Sequence, residues 1–118
     1  MKPSQLKHEM LYNERGQVTG VLETGASGKG TLVKRGVDPY RHQLRKPPGW
    51  AIDHAHLKKM VEVDAWGIVL LTTDGQMWTA SVDIILKHSL RIDRGHGVQI
   101  VLPLTHWTVT DWRQGTLL

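Results

Sequence analysis

The sequence predicts a single α+β domain, an antiparallel or mixed sheet of about five to six strands with two short helices packed on one face. Three observations lead there. With 118 residues the chain has the commonest size of one domain and can bury a core without staples. A strand-sized apolar run, Ala65 to Leu71, stands beside an alternating one, Gln76 to Ser81, the two signatures of buried and half-buried strands. Two further segments repeat apolar residues at helical spacing behind a capping Asp or Ser. No internal repeat and no long linker divides the chain, so residues 1–118 read as one domain.

In chain order, residues 1–16 are polar and read as a flexible N-terminal segment. Residues 17–48 read as a Gly-rich basic hairpin or arm, with strands at Gln17 to Leu22 and Thr31 to Val37 weakened by glycine. Residues 49–118 carry the core. Pro47-Pro48-Gly49 blocks backward extension of a helix capped by Asp53, whose apolar stripe is Leu57, Met60 and Val61. Trp66 to Thr72 and Gln76 to Ser81 form a hairpin around Asp74-Gly75, the sequence of a two-residue type I′ turn, which sets Leu71 opposite Trp78 and Val69 opposite Ala80. Ser81 caps a second helix with Val82, Ile85 and Leu86 on its apolar side, Asp83 in the first turn and Lys87 and His88 in the last. A loop, Arg91 to Gly97, leads to a strand at Val98 to Leu102; Pro103 marks a bulge or an edge, and Thr105 to Thr110 returns to sheet. Because two short helices cover little of one sheet face, Trp66, Trp78, Trp107 and Trp112 would leave apolar area exposed, and a homo-oligomer is expected.

Composition removes several classes. The chain has no cysteine, which excludes disulfide frameworks and Cys-ligated zinc or iron–sulfur centres. Met1 to Gly16 lacks the apolar stretch of a secretory signal, and no segment nears the roughly 20 apolar residues of a membrane span. A cytoplasmic protein without membrane attachment is expected. No serine elbow or cysteine nucleophile supports acyl transfer. Thr24 to Thr31 (TGASGKGT) superficially resembles a phosphate loop. However, Glu23 stands where glycine is needed, Gly30 where Ser or Thr is needed, and no helix follows.

The charge is local. Between Lys29 and Lys46 six cations (Lys29, Lys34, Arg35, Arg41, Arg45, Lys46) face one acid, Asp38, while nine cations and ten acids fill the rest. Interleaved with Tyr40, His42 and Trp50, this is the mixture that grips phosphates and stacks bases. Arg91-Ile-Asp-Arg-Gly-His-Gly97 adds Arg91 and Arg94 as anion forks beside Asp93 and His96, an acid–base pair. Histidine spacing gives no helical metal motif, since His54 and His56 diverge on a helix; only a long-range meeting of His88, His96 and His106 with Asp83 or Asp93 could hold an ion. No metal and no cofactor is expected. The leading expectation is a non-enzymatic nucleic-acid or polyanion-binding module using the basic arm. The alternatives are a homo-oligomeric interaction or structural protein, and a small phosphodiesterase or nuclease using Asp93 and His96.

Overall fold

The computed structural model describes residues 7–24, 29–95 and 97–111. In chain order their elements are β1 (Lys7–Tyr12), β2 (Val18–Thr24), β3 (Gly30–Val37), α1 (Pro39–His42), β4 (Gln43–Arg45), β5 (Pro48–Ile52), α2 (His54–Glu62), β6 (Gly67–Thr72), β7 (Gln76–Ser81), α3 (Val82–His88), β8 (Leu90–Asp93), β9 (Val98–Pro103), a 3-10 turn (Leu104–His106) and β10 (Thr108–Asp111). They form one α+β domain. A six-stranded mixed sheet has the order β1-β2-β3-β6-β7-β10, parallel only between β3 and β6. A second, antiparallel sheet of four strands has the order β4-β5-β9-β8. Among the described residues no helix is long and apolar enough to cross a membrane.

The core lies between the two sheets and against α2 and α3. Leu22, Leu32, Ile68, Leu70 and Ala80 from the large sheet meet Trp50, Ile52, Ile100 and Leu102 from the small one, with Met60 and Ile85 supplied by the helices. Trp50 packs edge-on against Trp78, with ring centroids 5.6 Å apart; such pairs contribute about 0.5–1.5 kcal/mol beyond their buried area. The small sheet also answers the tryptophan problem in part. Trp107 is buried, its indole N–H donating to the Leu102 carbonyl at 3.0 Å, and Trp78 is half-buried, while Trp66 stays exposed. Trp112 lies outside the described residues.

Several sequence expectations are corrected in detail. The β6–β7 hairpin forms, but Leu70 faces Trp78 and Ile68 faces Ala80, one residue away from the expected register. The cause is a three-residue loop, Thr73-Asp74-Gly75, in place of a two-residue one. Gly75 has φ +86° and donates its N–H to the Thr72 carbonyl at 3.1 Å, while the Thr72 hydroxyl bonds Gln76 and the Asp74 carboxylate. Close approach of β6 and β7 explains Gly67, where a Cβ would stand 2.1 Å from the Ala80 carbonyl oxygen.

Both expected helices are present with their caps, Asp53 accepting from Ala55 N–H at 2.8 Å and Ser81 from Ile84 N–H at 3.2 Å. Their buried faces are rotated from those expected: α2 buries His56 and Met60 and exposes Val61, and α3 buries Val82 and Ile85 and exposes Leu86. The expected loop from Arg91 is strand β8 as far as Asp93, and Thr105 to His106 is helical turn in place of strand. Lys7–Tyr12, within the segment expected to be flexible, forms the outer strand β1.

Candidate anion-binding groove

The basic window is folded into the domain. At the end of β3 an extra residue shifts the register between Lys34–Leu70 and Val37–Thr72, and Gly36, with φ +67°, takes the bend. The chain then turns through Asp38-Pro39. The Asp38 carboxylate caps Tyr40 N–H at 3.0 Å and Pro39 opens α1, a single turn that carries Arg41 and His42. β4 and β5 follow and lay the remainder of the window along the small sheet.

Between the open ends of the two sheets lies a cleft of about 960 Å³. Lys34, Arg35, Arg41, His42, His54 and Arg94 line it, with Asp53 at one side. Its apolar wall includes Val21, Val33, Leu44, Leu70 and Trp50. Thus cations distant in sequence, one of them from the β8–β9 turn, share one concavity. Arg94 N–H donates to Gly97 O at 2.9 Å and Gly95 N–H to the Asp93 carboxylate at 2.8 Å. Arg94 Nε donates to Gln99 Oε1 at 2.9 Å, which aims the guanidinium and leaves its terminal amino groups without a partner among the described residues.

The six window cations are not equivalent. Arg35 is matched by Glu23 at 2.8 Å, and Lys29 reaches Asp64 at 3.9 Å outside the cleft. Among the described residues Lys34, Arg41 and Arg94 have no ion-pair partner. Lys34 is half-buried, and this desolvation pushes its ammonium below the usual lysine range, opposed by the nearby charge of Asp53. Tyr40, Arg45, Lys46 and Arg91 are exposed and do not line the cleft.

Trp50 is a correction. At 2% exposure it is a core residue, and a base could stack on it only if the sheets separated. Of the alternative acid–base pair, Asp93 is tied to the Gly95 amide and His96 lies outside the described residues, as do residues 25–28 of the loop resembling a phosphate loop. His88 and His106 do meet, their rings stacked at 3.9 Å and 11° from parallel. Imidazole lone pairs lie in the ring plane, so two nearly parallel rings do not converge on one ion, and among the described residues no group of three or more His, Cys, Asp or Glu could hold a metal.

Sequence reasoning missed three contributors. His54 and Asp53 were legible as helix start and cap, and Gln99 as an outward strand residue; their place in the cleft depends on long-range pairing. His56 is buried on α2 and does not line the cleft. Thr19 Oγ1 donates to Leu11 O at 3.2 Å, so at 2.8 Å it accepts from His56 Nε2–H. That fixes the neutral tautomer and leaves Nδ1 buried without a partner among the described residues. Burial pushes the His56 imidazole below its ordinary range, Asp53 opposing and Lys34 reinforcing the shift. Comparison with protein-family models, with curated proteins and with solved structures finds no match for this chain.

Proposed function

We propose that this chain is a non-enzymatic nucleic-acid-binding module that holds the phosphate backbone in the cleft between its sheets, with Lys34, Arg41 and Arg94 as the gripping cations and His42 and His54 beside them. The observation that carries the reading is Lys34: a half-buried ammonium in a concavity, without an ion-pair partner among the described residues. A desolvated, unpaired charge costs stability, and a phosphate entering the cleft supplies the missing counter-charge. Arg94, preset by Gln99, offers the planar fork that suits a phosphate. Arg35, matched by Glu23, and Lys29, outside the cleft, take lesser parts in this reading.

The test is retention of a fluorescent oligonucleotide by the triple variant Lys34→Met/Arg41→Gln/Arg94→Gln. Loss of binding is expected, while Lys58→Gln/Lys87→Gln, which removes the same kind of charge outside the cleft, retains it. Equal retention by the triple variant and the unaltered chain would overturn the proposal.

A further inference from the structure

The shape of the site speaks to the form of nucleic acid it takes. This inference rests on the cleft being the binding site. A duplex offers phosphates on the outside of a stiff rod and keeps its bases stacked within, so it needs cations on an open face or on an element that enters a groove. Here the unmatched cations line a concavity whose accessible lining is also apolar: half-buried Val21 and Leu44 with exposed Val18 and Val98. Phosphates alone leave such a wall unused, whereas the sugar and base faces of an unpaired strand fill it.

The helix α1 adds a second observation. Tyr40 is 85% exposed on this single turn, which also carries Arg41 and His42 of the cleft lining. Its hydroxyl has no hydrogen bond among the described residues, and its ring takes no part in the core. An exposed aromatic face on the same short element as a backbone-gripping arginine is available for a base of a single strand to stack on.

We propose that the cleft takes a single strand of nucleic acid, its phosphates on Lys34, Arg41 and Arg94 and one base on the ring of Tyr40. Sequence preference is weak, because stacking and phosphate contacts are common to all bases.

The experiment is fluorescence anisotropy at fixed salt with a labelled strand of about 12 nucleotides, the blunt duplex of the same sequence, and heparin as competitor. The single strand is expected to bind at least about 10-fold tighter than the duplex. Tyr40→Ala should weaken the single strand by about 5- to 150-fold, the range for one stacked base, and leave the inhibition constant of heparin unchanged. Tyr40→Trp, with a larger face, should tighten it. The exposure of Tyr40 keeps these variants folded. Equal affinity for strand and duplex, with Tyr40→Ala indifferent, would overturn the single-strand inference while leaving an anion-binding cleft. No binding of strand, duplex or heparin would overturn the cleft reading itself.

Discussion

The salt dependence of binding separates three cations from six. Each phosphate neutralised on a single strand contributes about −0.7 to the slope of log K against log salt. If Lys34, Arg41 and Arg94 alone make contact, the slope is about −2, and raising salt from about 50 to 200 mM weakens binding about 20-fold. Six contacts, the number of cations in the Lys29 to Lys46 window, would give about −4 and a loss of several hundred-fold over the same range, roughly. The structure favours the smaller figure because Arg35 is matched by Glu23 and Lys29 lies outside the cleft near Asp64. Anisotropy titrations of one labelled strand at four or more salt concentrations measure the slope directly. Lys34→Met, Arg41→Gln and Arg94→Gln should each flatten it by about 0.7, and Arg45→Gln should leave it unaltered. A slope of about −4 or steeper, or one insensitive to Arg94→Gln, would refute the reasoning and move the contact to the outer cations.

Four further outcomes are expected. Lys34→Met should stabilise the fold by about 0.5–1 kcal/mol in urea titrations while weakening binding, because a partly buried unpaired charge is replaced by an apolar group; a loss of stability would mean the ammonium is satisfied in the free protein. Asp53→Asn keeps the cap of α2 and removes a negative charge from the cleft, so thermal stability should stay within about 0.5 kcal/mol while affinity for the strand rises; a destabilised protein of unchanged affinity would contradict this. Since the folded-state imidazole of His56 is lowered by burial, it is neutral in both states above the ordinary histidine range. As pH falls below about 6.5 the unfolded chain takes up the proton first, and stability drops until the folded form also titrates. His56→Gln should flatten that acid-side decline in midpoint denaturant concentration, and parallel profiles would count against it. Gly67→Ala should cost at least about 3 kcal/mol, because the clash is with backbone; near-native unfolding would show that β6 and β7 can part.

The charge of Lys29 to Lys46, the caps at Asp53 and Ser81, and the β6–β7 hairpin are written in neighbouring residues, and for that reason they were legible in the sequence. So was the placement of both helices beside a mixed sheet in one α+β domain. Finer features followed from tertiary packing. A one-residue register change in the hairpin came from the Thr72 side chain bonding across the turn, and α2 turned toward His56 because Thr19, far away in sequence, offers it an acceptor. Trp50 looked available because aromatic residues beside cations serve cores and ligands equally; β9 and Trp78 close over it. The cleft itself is the extreme case. Nothing local says that Arg94 and Lys34 line one cleft, that Glu23 takes Arg35 out of play, or that Gln99 aims a guanidinium. Sequence determined how much charge this protein carries and where along the chain; only the docking of two sheets decided which charges meet, because that meeting depends on strand pairings across long stretches of chain.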